Sequence, residues 1–271
     1  RNALDIFSTA IYGYNKTVPI AVVANSKLNQ SAVDNFEDYD YAIDCRMPID
    51  PCQTSHFSFE SVPEVVLTND EYHTGNTALM LEDSESISIE KQLRSSDGEI
   101  LAYTEPIYEL GDDPFIPEFS PTPGEYIFSG WVKIDTICNC KTYPEGVAEI
   151  SFEGSATSYT VNSSGPIIEG WQRFEMKFNV PIDATSIILT LNADEANNTF
   201  FDDIRFHPYL GNMKSYVYDR ITMRLMAQLD ENNYATFYEY DEEGNLIRVK
   251  RETERGIMTI QEGRSHIKPQ N

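Results

Sequence analysis

The stretch WQRFEMKFNVP, residues 171–181, sets Phe174, Met176, Phe178 and Val180 against Arg173, Glu175, Lys177 and Asn179. Side chains of an extended chain point alternately to opposite faces, so this two-residue period suits a half-buried strand. A helix, whose faces recur about every 3.6 residues, would scatter the same apolar groups around its surface. The pattern recurs along the chain. GEYIFSGWVKID places Tyr126, Phe128, Gly130, Val132 and Ile134 on one face, and TSIILTLNA, apolar on both faces, reads as a central strand. Gly, Pro, Asn and Asp punctuate these runs, and the 16 Tyr and 14 Phe favour strands over helices. With 271 residues, 41% of them hydrophobic, there is material for one or two domains with a real core. The expectation is an all-β chain whose short strands and polar loops build a two-sheet sandwich.

Three zones are expected. Residues 1–33 hold a segment, NALDIFSTAIYGY, that suits a short helix or a strand. An apolar strand follows, placed near a sheet edge by Pro19. Residues 34–208 carry the densest alternation. Residues 209–271 contain an internal echo: YVYDRITMRL and YEYDEEGNLIRV each run alternating aromatics into a Tyr-Asp pair, a polar turn and a basic–apolar strand. The two copies are offset by 22 residues, from Asp219 to Asp241. Two copies are too few for an independent repeat array, so this zone should continue a larger sheet or dock on the second zone.

NTFFDDIRF, residues 198–206, poses a question. Strict alternation puts Phe200, Asp202, Ile204 and Phe206 on one face, aiming a carboxylate where the aromatic rings are buried. A buried unpaired charge is costly, so Asp202 requires hydrogen-bond donors, a cation or an exit to solvent.

The net charge is −24, from 44 acidic and 20 basic residues. A surface this negative repels phosphate backbones and argues against nucleic acid as a partner. It suits either simple solubility or a life among divalent cations outside the cell. Four cysteines form two local pairs, Cys45 with Cys52 and Cys138 with Cys140. Their even number fits an oxidising compartment, and either disulfides within or across the pairs or a zinc site remains open. No apolar run is long enough to span a membrane. The opening RNALDIF suggests a processed piece of a larger secreted protein.

The third zone, in YVYDRITMRLMAQLD and FYEYDEEGNLIRVKRE, resembles the YD-repeat (RHS-like) proteins, whose Tyr-Asp pair leads through a turn to Gly-x-Leu. The first copy departs from that pattern, with Thr222 at the glycine position and Arg224-Leu225 following. The phrases ALDIFSTAIYGYNKTVPIAVVANS and LDENNYATFYEYDEEGNLIRVKRETERGI are similar to segments of large surface or secreted proteins of Bacteroidota. The second zone resembles the carbohydrate-binding-module, galactose-binding-like β-sandwich in the order of NFED, HTGNTALML, YIFSGWVKID, GWQRFEMKFNVP and FFDDIRF. Together these imply a jelly-roll β-sandwich flanked by β-hairpins of YD-repeat type, at the cell surface or secreted. The sandwich resemblance further implies a structural Ca2+ held by Glu37, Asp38, carbonyls of the turn from His73 to Asn76, and Asp202. Such mixed oxygen ligation suits calcium, which takes about six to eight oxygens. The alternative for Asp202 is a set of loop N–H donors without an ion.

Trp131 and Trp171 are candidate sugar platforms, but both lie in strands and suit the core better. Loop aromatics are better ligand candidates: Tyr39, Tyr41, Tyr103, Tyr108, Phe115 and Tyr159. Three of these sit in the long, Pro-rich segment of residues 103–126, which serves either to bind a ligand or to cover a sheet. Catalysis finds no pattern. His56, His73, His207 and His266 have no metal-ligand spacing, no nucleophile elbow or phosphate loop occurs, and acidic residues are too abundant to single out a pair. Two functions follow: a non-catalytic module with a polysaccharide or glycan partner, or an assembly module contacting other parts of the same large protein.

Overall fold

The computed structural model describes residues 7–39, 56–60, 62, 65–94, 119–136 and 140–263. In chain order the first strands are β1 (Ser8–Gly13), β2 (Val18–Ala24), β3 (Ala32–Asp34), β4 (Val66–Thr68), β5 (Ala78–Leu81) and β6 (Ser86–Gln92). There follow β7 (Gly124–Ile134), β8 (Ala148–Glu153), β9 (Ser158–Val161), β10 (Ser163–Ile168), β11 (Trp171–Val180), β12 (Ser186–Asn192) and β13 (Thr199–Pro208). The last are β14 (Asn212–Tyr218), β15 (Leu225–Leu229), β16 (Ala235–Tyr240), β17 (Leu246–Thr253) and β18 (Gly256–Glu262). A single short 3-10 turn, Leu28–Gln30, is the only helical element among the described residues.

Two sheets make the expected sandwich. One runs β10-β11-β7-β13-β5-β4, with β3 also on β13, and the other runs β6-β12-β8-β9. The alternation seen in the sequence decides what faces inward. Phe174, Phe178 and Val180 of β11 meet Ile187, Leu189 and Leu191 of β12 and Ile150 and Phe152 of β8 in one core. β12 is a central strand, between β6 and β8. Gly130 of β7 lies where a Cβ would fall 2.6 Å from the Phe174 ring and 2.7 Å from Ile204, so two large core side chains use the space its missing side chain leaves.

A third sheet joins both ends of the described chain, in the order β1-β2-β14-β15-β16-β17-β18. The described part of the first-zone segment is therefore a strand, Ser8–Gly13, and β2 pairs antiparallel with β14. β3 straddles residues 33 and 34 and belongs to the sandwich, through pairing with β13.

The hairpins of this sheet turn on aspartates. Asp219, Asp230 and Asp241, eleven residues apart, each accept backbone N–H groups from the following turn on a side-chain oxygen. Such Asx turns let a short carboxylate substitute for a backbone acceptor. The spacing of 22 read from the sequence is thus two strand–turn units of eleven, the middle one beginning at LDENN. The glycine correspondence also changes. Asp241 and Asp230 close with the N–H of the aspartate on the carbonyl four residues on, but Asp219 closes five residues on, at Arg224. The first turn carries one extra residue. Its left-handed position is Met223 at φ 56°, not Thr222, and Gly244 and Asn233 occupy the equivalent positions at 91° and 65°.

Candidate functional site

Strict alternation fails in β13. Its pairing with β7 slips between Asp202 and Arg205, and Asp203 adopts φ 50°. This is a β-bulge, which inserts a residue and reverses the facing of everything beyond it. Phe201, Ile204 and Phe206 consequently share the sandwich core, while Phe200 points to the opposite face with Trp131, Trp171 and Ala78. The sequence reading that grouped Phe200 with Ile204 and Phe206 is overturned by this bulge.

The bulge delivers Asp202 to a turn. Asp202 Oδ2 accepts the N–H groups of His73 at 2.8 Å and Thr74 at 3.1 Å, and Oδ1 accepts that of Asp203 at 2.7 Å. Glu37 grips the other half of the same turn, its Oε1 accepting the N–H groups of Asn76 at 2.6 Å and Thr77 at 2.7 Å. Gly75 stands between them at φ 67°, and a Cβ there would collide with the Glu37 carboxylate. Both carboxylates are buried. Burial pushes Asp202 well above the usual carboxylate range, with Asp203 adding to the rise. Glu37 is pushed up to about 7 by burial, against the pull of its two N–H donors.

A second layer reaches into the hairpin sheet. His73 lies between two carboxylates, with Nδ1 2.7 Å from Asp203 of β13 and Nε2 3.0 Å from Glu252 of β17. Its ring stacks on Trp131 at 4.1 Å between centroids. Burial alone would lower the His73 pKa, but Glu252 and Asp203 outweigh it and raise the value to about 10. The ring is therefore an imidazolium at neutral pH, donating from both nitrogens. Glu252 also accepts the N–H of Ala235. The turn between β15 and β16 closes the face: Trp131 Nε1 donates to the Asn233 carbonyl at 2.8 Å, and Asn233 Nδ2 donates to the Asp203 carbonyl. Buried Arg205 donates to Ser215 and to the Asp230 carbonyl, and burial lowers its pKa to about 10.

The carboxylates of Asp202 and Glu37 are engaged by backbone N–H groups. The turn from His73 to Thr77 presents N–H groups, rather than the carbonyls expected from the sequence, to Asp202 and Glu37. Among the described residues no three His, Cys, Asp or Glu side chains are grouped to hold a metal ion. Asn76 lends its backbone N–H to Glu37 and its amide to Met226 Sδ at 3.5 Å. Asp38 lies to the side, accepting the Tyr14 N–H at 3.0 Å.

The candidate ligand aromatics divide. Trp131 and Trp171 are buried beneath the hairpin sheet, whose Tyr234 and Ile257 pack on them. Tyr39 is a core residue whose hydroxyl donates to Asp34. Tyr159 is half-buried, and its ring packs inward on Phe152 and Phe178. Tyr41, Tyr103, Tyr108 and Phe115 lie outside the described residues, as do Cys45, Cys52 and Cys138. Cys140 is disulfide-bonded. The role of Glu252 was not read from the sequence; it sits in the mixed-charge run RVKRETER, which suits a solvated strand end equally well.

No protein-family profile matches the chain, and no curated protein matches it. Solved structures that it is similar to include the family 22 carbohydrate-binding and family 10 hydrolase modules of Clostridium thermocellum endo-1,4-β-D-xylanase 10B, complexed with xylohexaose. That likeness has a TM-score of 0.34 and 17% identity, over 53% of this chain and 24% of the other, so the chain matches about a quarter of the xylanase structure. The family 22 xylan-binding domain of a Paenibacillus barcinonensis xylanase gives a TM-score of 0.32 and 11% identity, over 53% and 79%. A family 61 carbohydrate-binding module in complex with β-1,4-galactotriose gives 0.29 and 15%, over 68% and 91%.

Proposed function

We propose that the chain is a non-catalytic module of a secreted or cell-surface YD-repeat protein, and that its sandwich binds a polysaccharide through loop aromatics. The observation that carries this reading is the burial of Trp131 and Trp171 under the Asp230–Tyr234 turn. Flat rings suited to stacking on sugar are spent on holding two sheets together, so this reading puts ligand contact on loop aromatics, with Tyr103, Tyr108 and Phe115 as the first to test. The non-catalytic reading is supported by Asp202, Asp203, Glu37 and Glu252. Each is buried and holds hydrogen-bond donors, so none is placed as an open acid or base.

Glycan arrays and affinity electrophoresis with the whole chain test this, with xylan and β-1,4-galactan as first probes. Tyr103→Ala or Tyr108→Ala should weaken binding at least tenfold with unchanged circular dichroism. Binding that survives both substitutions would remove the loop from the site.

An assembly role is the second reading, favoured by the buried network that joins the sandwich to the hairpin sheet. A folded chain that binds no glycan on the array supports it.

A further inference from the structure

The hairpin sheet has one face on the sandwich and one turned to water, and its register says which side chains share each. Ser215, Leu229 and Ala235 stand opposite one another across β14, β15 and β16. All three are buried, and Ser215 accepts hydrogen bonds from Arg205 of the sandwich. Glu252 of β17, which meets His73 and accepts the Ala235 N–H, belongs to the same face. Side chains alternate along a strand, so the neighbouring positions point away from the sandwich. They form a second row in register across five strands: Tyr216, Gln228, Thr236, Arg251 and Met258. None of the five is buried.

The chemistry of this row suits hydroxyl groups. Tyr216, Gln228 and Thr236 each carry a side chain that can both donate and accept. Among the described residues none of the three makes a side-chain hydrogen bond within the chain. Strands lie about 4.8 Å apart, so the row spans roughly 19 Å, room for several sugar rings. At its far end is a cleft of about 430 Å3, which Arg251 and Met258 share with Asp230, Asn232, Tyr234 and Thr253. Tyr234 is fixed there, its ring edge-on to Trp131 at 5.8 Å and the Arg173 guanidinium 5.6 Å from its centre. An aromatic ring held in place is a stacking surface that loses little freedom when a ligand binds.

Charge and polarity select the ligand. A net charge of −24 repels polyanions. Arg251, the cation of the row, lies 3.9 Å from Asp230, so its charge is matched within the protein rather than offered to a ligand carboxylate. Met258 is the one aliphatic side chain in the row, too little for the apolar centre of a protein interface. We propose that this face of the hairpin sheet binds an uncharged oligosaccharide, which lies across the strands from Tyr216 to the cleft and stacks there on Tyr234. The site is on a different sheet from the sandwich and its loops, so the two readings stand or fall separately.

The test is an array of neutral and uronic-acid oligosaccharides, xylohexaose and β-1,4-galactotriose among them, probed with the whole chain. Neutral glycans should be captured. Thr236→Arg sets a long cation in the middle of the row and should weaken capture about tenfold or more, and Gln228→Ala about threefold, as loss of one hydrogen bond does. Both are surface changes that should leave circular dichroism and Tm unaltered. Capture lost in Thr236→Arg yet intact in Tyr103→Ala supports the hairpin-sheet site alone. The proposal is overturned if no neutral glycan is captured, if only uronic acids are, or if Thr236→Arg captures as well as the wild type. Capture lost in Tyr103→Ala but intact in Thr236→Arg puts the glycan on the sandwich, so that this proposal falls and the sandwich reading stands.

Discussion

Nε2 of His73, in the turn held by Asp202 and Glu37, lies 3.0 Å from Oε1 of Glu252, in the penultimate strand of the hairpin sheet. This contact joins the sandwich to the sheet through a buried charge, and both side chains are shielded from water. Removing one partner of such a pair leaves the other uncompensated, which costs about 3–5 kcal/mol. Glu252→Ala should therefore lower unfolding stability by about that amount, because Ala235 also loses its acceptor. Glu252→Gln keeps an acceptor oxygen for Ala235 and should cost less. Urea denaturation of the two variants checks the order, and equal losses would show that charge is irrelevant there.

The same residue sets a pH dependence. The His73 pKa rises from 6.5 to about 10 on folding. A raised value means the folded state holds the proton more tightly, so the contribution is complete below 6.5 and is lost as pH climbs through about 10. Glu37, raised from 4.5 to about 7, acts in the same direction between those values. Wild-type Tm should fall steadily from pH 7 to pH 10, and His73→Gln should flatten that slope. A parallel slope in the variant would place the titration elsewhere.

Gly75 fills a position with φ 67° where a side chain would meet Glu37. A left-handed non-glycine residue costs roughly 1–3 kcal/mol before any displacement of the carboxylate. Gly75→Ala should therefore destabilise the protein by at least about 2 kcal/mol in chemical unfolding. A neutral result would mean that the turn does not approach Glu37 this closely.

Met223 occupies the left-handed position of the first aspartate turn, where the third turn has Gly244. An L-residue there costs roughly 1–2 kcal/mol, part of which glycine returns as unfolded-state entropy. Met223→Gly should stabilise the chain by a few tenths to about 1 kcal/mol. A drop in Tm would show that the Met223 side chain, which packs near Ile11 and Tyr14 in the first-zone cluster, outweighs the backbone strain.

We propose that Asp202 and Glu37 are held by backbone N–H donors without a bound metal ion. Thermal unfolding should then be unchanged between excess chelator and millimolar calcium. An ion bound only by the native state would instead raise the midpoint with its concentration, and such a rise would support the calcium expectation.

Local information was enough for the strands themselves. The two-residue period of β11 and the double apolar character of β12 are properties of neighbouring side chains, so they survive in the bare sequence, as do the turn-forming Asp241 and Gly244. The sequence also flagged Asp202 as a carboxylate requiring partners, because its apolar neighbours are adjacent in the chain. It did not reveal the bulge at Asp202 and Asp203, because a bulge is defined by two residues opposing one on a partner strand, here β7. Nor did it show that the tryptophan face is covered by residues 230–234, or that Glu252 answers His73. Those contacts join positions far apart in the chain, and no local pattern encodes which distant carboxylate meets a given imidazole. Sequence determined which residues form strands and which side of each prefers to be buried. Tertiary structure alone decided which buried side meets which, because that choice rests on packing and charge compensation between segments that are neighbours only after folding.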